Sequence, residues 1–309
     1  MFYLASSLTR LYRFMPATER ILHIHNMVSP QKAHSTIAFI GGGNMAEAII
    51  GGLVSSGHPS SSISFSDLAQ ERRDYMKTKY PSIKSSADNL DVVADAEVVI
   101  LAVKPQVLHN VISGIAPALL AKKPLVISIV AGIAAASINR WIGGGESAIV
   151  RCMPNTPALV GEGAAGLYAT PAVNEAQMGL AEKIVNAISK QTIWVDSESQ
   201  IDTVTAISGS GPAYFFLIME AMENAGVEAG LSKEDAKALT IQTCLGAAKI
   251  AQNSDEELAT LRRKVTSPKG TTEAAINAME DGKIRNVMAS AVQAAQKRSH
   301  ELAEIFGEQ

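Results

Sequence analysis

The feature that most restricts this 309-residue chain is a glycine-rich turn set between two apolar segments. Ile37–Ile40 is a short apolar run ending in Gly41-Gly42-Gly43. Ala46, Ile49, Ile50 and Leu53 then recur at helical spacing, and Gly57 supplies a stop. Gly41 to Ala46 fits G-x-G-x-x-A, with a strand expected before it and a helix after it, the context that gives the motif meaning. Gly41 permits the tight turn, Gly43 lets a pyrophosphate approach the backbone, and Ala46 lets helix and strand pack closely. The helix start offers free N–H groups and a partial positive charge to phosphates.

The pattern that follows extends this unit. Ile63–Ser66 reads as a second strand and Glu71–Lys79 as a helix ended before Pro81. Val98–Val103 is continuously apolar, the signature of a strand covered on both faces. Leu125–Ala131, Ala148–Cys152 and Thr192–Val195 are further strand candidates, and the alternation with helices predicts a parallel sheet. After about Ser199 only helices are expected. Ala213–Asn224 is apolar nearly all round, Ser232 opens a capping-box start, and two closing helices are expected near 272–280 and 284–306. The predicted fold is α/β: a Rossmann-type domain over 35–198, then an all-helical domain over 199–309. A helix as apolar as 213–224 in so small a domain implies cover from another subunit.

Composition limits the partners. Charged residues make up 18%, below the usual share of about 25%, and the net charge is -3 from 27 basic and 30 acidic residues. No basic excess exists to neutralise phosphates, so no nucleic-acid partner is expected. No apolar run reaches membrane-spanning length. Cys152 and Cys244 are isolated and no His or Cys spacing suits zinc, so a reducing compartment and no metal site are expected. Residues 1–34 carry Arg10, Arg13, Arg20 and Lys32 with the single acid Glu19, and Leu4, Leu8, Leu11 and Phe14 fall roughly on one helical face. That composition resembles a mitochondrial presequence; the alternatives are an unstructured extension or a true start at Met27, with a cytoplasmic location.

The chemistry is read from four further segments. Ser66-Asp67 ends the second strand, where an acid holds a ribose 2′-OH in NAD enzymes; Arg72 and Arg73 instead suit the 2′-phosphate of NADP, and Asp67 also suits a cap. Lys104 follows a buried strand at the sheet edge where ligands bind, and it reads as a cofactor contact. Asn155, in Met153-Pro154-Asn155-Thr156-Pro157, could present its amide to the nicotinamide carboxamide or belong to a rigid loop. Ser267-Pro268-Lys269-Gly270-Thr271-Thr272 precedes a helix and reads as a carboxylate cradle or a capped turn, with a hydroxyl from Thr271 or Thr272 for a substrate nitrogen. No His or Lys emerges as the proton relay that alcohol oxidation needs, which favours reduction of a C=N group.

Phe39–Ala46, Ala102–Pro105, Met153–Pro157, Ser208-Gly209-Ser210-Gly211-Pro212-Ala213-Tyr214 and Val265–Thr272 together resemble pyrroline-5-carboxylate reductase, over roughly residues 36–305. The resemblance implies NAD(P)H-dependent reduction of 1-pyrroline-5-carboxylate to L-proline, with NADPH the expected cofactor and NADH an alternative. It implies a homodimer through interleaved C-terminal helices, and decamers of such dimers. It places cofactor contacts on Ile40, Gly41, Gly42, Gly43, Asn44, Met45, Asn89, Ala102, Val103, Lys104, Val130 and Ala131, with Ser66 and Asp67 near the adenosine ribose. Substrate contacts fall on Ser267, Lys269, Gly270, Thr271, Thr272 and Glu198; the loop amides would take the carboxylate and the Thr272 hydroxyl, as the catalytic group, the ring nitrogen.

Two residues depart from that pattern. Lys269 stands where the family loop commonly has Gly, which disfavours a conformation that only Gly reaches easily and adds a cation near a carboxylate. Lys264 stands where some members have Asn. A β-hydroxyacid dehydrogenase shares the two-domain plan but carries a Lys on the helix opening its helical domain; here Tyr214, Phe215 and Phe216 follow the glycines instead. A catalytically silent NAD(P)-binding regulator is the reading from another class.

Overall fold

The structure, a computed structural model, describes residues 34–307. The expectations for residues 1–34 lie outside the described residues, apart from His34 itself. From Thr36 onward the chain forms one unit. Its centre is β1 (Ile37–Ile40), all four residues fully buried. Beyond it lie α1 (Asn44–Ser55), β2 (Ile63–Ser66), α2 (Gln70–Lys79), β3 (Lys84–Ser86), α3 (Asn89–Val93), β4 (Val98–Leu101), α4 (Pro105–Lys122), β5 (Leu125–Ser128) and α5 (Ala135–Ile142). Then come β6 (Ile149–Met153), β7 (Gly163–Ala169), α6 (Glu175–Asn186) and β8 (Ser189–Trp194).

The eight strands lie in the order β3-β2-β1-β4-β5-β6-β7-β8. Alternate residues of β1 feed two cores. Ile37 and Phe39 pack with Ile49, Ile50 and Leu53 of α1, whereas Ala38 and Ile40 pack with Leu108 and Ile112 of α4. Burial on both faces explains why β1 and β4 are unbroken apolar runs. Each such side chain contributes about 1.5–3 kcal/mol. The order reverses between β1 and β4, and ligands of doubly wound sheets bind at that point.

The sheet is not wholly parallel as expected: β7 runs antiparallel to β6. Its sequence, Gly-Ala-Ala-Gly-Leu-Tyr-Ala, is too small-residue-rich to read as a strand. The reason is steric, because a Cβ at Gly166 would lie 2.6 Å from the Val204 side chain.

The remainder is helical: α7 (Gln200–Val204), a π-helical turn at Thr205–Gly209, α8 (Gly211–Glu228), α9 (Lys233–Gln252), α10 (Leu258–Lys264), α11 (Thr271–Asp281) and α12 (Ile284–Gly307). Ser232 caps α9 by accepting from the Asp235 N–H. Burial of α8 on most sides does not occur within the single chain. Phe215, Phe216 and Leu217 are each about 60–65% exposed, because α8 packs mainly against α9 and the π-turn. Contiguous apolar surface of this kind marks an association face. α12 packs along α7, where Ser299 donates to Asp202 at 2.6 Å, and returns to the α/β part, where Ser137 and Arg140 donate to the Gly307 carbonyl.

The fit of α1 against α6 and β8 depends on Gly52, since a Cβ there would overlap the Ala187 carbonyl oxygen. Gly52→Ala is expected to cost about 2 kcal/mol or more by overpacking. Urea unfolding at fixed protein concentration checks this, and an unchanged midpoint would refute the packing account.

Candidate active site

The glycine-rich turn sits at the reversal of strand order and is held on three sides. Gly41 has φ +101°, its N–H donates to Ser66 O at 2.9 Å, and a Cβ on it would lie 2.6 Å from Ala102 O. Only glycine reconciles that dihedral with that approach. Gly42 donates to Asp67 Oδ2 at 3.1 Å and accepts from Arg72 Nε. Gly43 precedes α1 without a side-chain cap, and a Cβ on it would meet nothing within 4 Å. The first-turn N–H groups of α1, including those of Asn44 and Met45, have no intrahelical partner, the usual condition of a helix start. Free backbone N–H groups and open space thus meet as a phosphate cradle requires.

The end of β2 is more constrained than its sequence suggests. Besides Gly42, Asp67 accepts from the Ala69 N–H at 2.9 Å, so its carboxylate both braces the turn and opens the loop before α2. Ser66 is fully buried, and its hydroxyl lacks a partner. Arg72 reaches the Gly43 carbonyl at 3.3 Å and Glu47 Oε2 at 2.6 Å. Arg73 donates to the carbonyls of Asp67 and Leu68. Asn89 begins α3, whose cap is Asp88. Ala102–Lys104 follow β4 directly, with Ala102 N donating to Ile40 O at 2.8 Å. Lys104 is exposed at the start of α4. Val130 and Ala131 follow β5 at the same edge, where the Ile129 N–H donates to Leu101 O. Ile40–Met45, Ser66, Asp67, Ala102–Lys104 and Val130-Ala131 are therefore brought to one end of the sheet.

Two expected residues have other engagements. Asn155 is buried; its amide donates to Ser208 O at 3.1 Å and its oxygen accepts from the Ala164 N–H at 2.9 Å. It ties the loop after β6 to the π-turn, which is the rigid-loop alternative of the sequence reading. Glu198 accepts from the Ala135 N–H at 2.6 Å and pairs with Arg151 at 2.9 Å. Arg151 on β6 is only 6% exposed and was not foreseen; the signal was a lone Arg inside the apolar run Ala148–Cys152. Glu198 thus stands with its charge matched at the N-terminus of α5.

The Ser267–Thr272 loop lies in the helical part, and among the described residues no hydrogen bond joins it to the glycine-rich turn. Gly270 N donates to Ser267 O at 3.0 Å, and Lys269 N donates to Glu273 Oε2 at 2.8 Å. Those two amides, expected at the substrate carboxylate, are already engaged. The N–H groups of Thr271 and Thr272, in the first turn of α11, remain. Lys269 has φ +59°, the left-handed conformation that disfavours a side chain.

Comparison with known proteins matches this architecture along its length. Residues 198–302 match the family described as pyrroline-5-carboxylate reductase dimerisation, and residues 36–132 that described as NADP oxidoreductase, coenzyme F420-dependent. A pyrroline-5-carboxylate reductase of Pseudomonas aeruginosa is 49% identical over 272 residues, covering 88% of this chain and 98% of that protein. The chain belongs to the pyrroline-5-carboxylate reductase family. Within that family, the solved structure from Coxiella burnetii is 44% identical, with a TM-score of 0.83 over 87% of this chain and 98% of the other. The Plasmodium falciparum structure, solved with NADP bound, is 28% identical, with a TM-score of 0.76 over 87% and 98%. The α/β plan with a helical C-terminal dimerisation domain is that of the family.

Relief of the left-handed residue is measurable. Lys269→Gly is expected to stabilise the protein by about 0.5–1 kcal/mol, the left-handed penalty less the added flexibility of the unfolded chain. A fall in thermal midpoint would show that the Lys269 side chain contributes more than its backbone costs.

Proposed function

We propose that the chain reduces 1-pyrroline-5-carboxylate to L-proline with NAD(P)H. The observation that carries this reading is near full-length similarity to enzymes of that name, on a chain whose glycine-rich turn has phosphate-cradle geometry. Ile40–Met45, Asn89, Ala102–Lys104 and Val130-Ala131 would hold the dinucleotide, with Ser66 and Asp67 toward the adenosine ribose. When bound, the reduced nicotinamide supplies the hydride that a C=N carbon accepts.

The chain's own contribution is orientation. The amides of Thr271 and Thr272 take the substrate carboxylate at the α11 N-terminus, where the helix dipole favours an anion. The Thr272 hydroxyl meets the ring nitrogen. Ser267 and Gly270 close the loop beneath them, Lys269 adds a cation, and Glu198 stands at the substrate edge with Arg151 matching its charge. An iminium substrate already carries its proton, so no relay residue is required.

NADPH is the preferred cofactor in this reading on the family resemblance; Arg72 and Arg73, the cations after β2, are engaged by Glu47 and by loop carbonyls. NADH is the second reading, favoured by the Asp67 carboxylate at the end of β2. The exposed face of α8 supports a homodimer through the helical part, 199–309, while the α/β part, 35–198, carries the dinucleotide. Association into decamers rests on the resemblance alone. Two free cysteines suit a reducing compartment such as the cytoplasm. No described helix is long and apolar enough to cross a membrane.

Proline-forming oxidation of NADPH, and separately of NADH, by the purified protein with 1-pyrroline-5-carboxylate tests the reading; cofactor binding without turnover of this substrate would refute it. Thr272→Ala is expected to lower turnover about tenfold or more, the loss of one substrate hydrogen bond, with cofactor affinity intact. An equal loss of cofactor affinity would count against that role. Gly43→Val should abolish cofactor binding yet leave the thermal midpoint close to the parent's, because its side chain enters open space. Retained binding would displace the pyrophosphate from this turn.

A further inference from the structure

The cations beside the glycine-rich turn are not free. Glu47, in the first turn of α1, takes Lys79 Nζ at 2.6 Å, Arg72 Nη2 at 2.6 Å and the Tyr75 hydroxyl at 2.9 Å. Arg72 is fixed further by the carbonyls of Gly42 and Gly43, and its guanidinium lies 5.1 Å from the Tyr75 ring centroid. Both partners are largely shielded, with side chains 22% and 15% exposed, so the pair resists screening better than a surface bridge does. Partial burial raises the Glu47 pKa, but hydrogen bonds from Lys79, Arg72 and Tyr75 outweigh it, and the carboxyl ionises below its usual range. Arg73 is likewise turned onto backbone carbonyls of its own loop.

We propose that Glu47 sets the discrimination between NADPH and NADH, by holding Arg72 on the glycine-rich turn and away from a 2′-phosphate. The proposal rests on the turn being the dinucleotide site. A phosphate monoester at the ribose edge carries close to two negative charges and three acceptor oxygens. It must compete with a carboxylate already in contact with Arg72, beside the second carboxylate of Asp67. NADH has no such group and is indifferent to the contest. Glu47 is a specificity-determining residue that acts through Arg72, and Arg72 in turn braces the Gly42 and Gly43 carbonyls. The sequence gives Arg72 as a phosphate cation; the geometry shows it neutralised by a residue four positions past Gly43.

The test is titration of NADPH and NADH, by nicotinamide fluorescence, into the full-length protein and its variants. Glu47→Gln keeps the side-chain size and removes the charge. It is expected to raise NADPH affinity relative to NADH about tenfold, the worth of one charge-assisted hydrogen bond, while NADH affinity stays within about twofold. Adding Arg72→Gln should cancel that gain. Arg72→Gln alone should leave the parent ratio unchanged, which tests the proposal even if Glu47→Gln folds poorly. The proposal is overturned by an unchanged ratio in Glu47→Gln, by equal weakening of both cofactors, by a gain that survives Arg72→Gln, or by selective loss of NADPH in Arg72→Gln alone. Binding of neither cofactor to the parent protein would instead remove the dinucleotide reading itself.

Discussion

At the end of the sheet the chain passes so close to itself that the Gly41 α-carbon abuts the Ala102 carbonyl, and the site is built outward from that approach. It exists because β1 and β4 are adjacent and in register, with Ile40 opposite Leu101. Both strands are held there by residues buried on two faces. The same approach opens the turn toward α1 and sets the Gly42 peptide between Asp67 and Arg72. Cofactor geometry here is a by-product of sheet packing: the cores fix the strands, the strands fix the turn, and the turn presents the helix start.

The charged groups around the turn form a closed set. Asp67 takes the Gly42 N–H, Arg72 takes the carbonyls of Gly42 and Gly43, and Glu47 closes on Arg72 from α1. Groups that could each bind a ligand first satisfy the backbone. A preorganised loop has less entropy to lose when a dinucleotide arrives. Glu198 and Arg151 follow the same logic at the start of α5, where a buried guanidinium and the Ala135 N–H hold the carboxylate in place.

The α/β plan was legible because its signals are local: strands with two buried faces, a turn needing glycine, a helix with a clean apolar stripe. β7 was not, since its Gly166 answers to Val204, some forty residues away in sequence. In the site, the turn and the β4 edge read correctly as neighbours, and the Ser267–Thr272 segment as a helix start. What escaped was how each polar group is spent. Asn155 and the Lys269 and Gly270 amides have structural partners that spacing does not reveal. Lys269 is instructive in the other direction: a lysine in place of glycine is expected to disfavour a glycine-like backbone, yet the residue adopts the left-handed φ all the same.

The uncovered faces of α8 and α9 divide the chain into a part that is finished alone and one that is not. The sheet closes its cores within one polypeptide, whereas Phe215, Phe216, Leu239 and Leu245 remain in water until another surface reaches them. A fold completed by association has a stability tied to protein concentration, and the helical half carries the exposed apolar face that such completion requires. A newly made chain would pass through a stage in which the dinucleotide half is competent and the helical half still exposes aggregation-prone surface. α12 runs from that unfinished half back onto α5, so the two halves are joined by hydrogen bonds as well as by the chain.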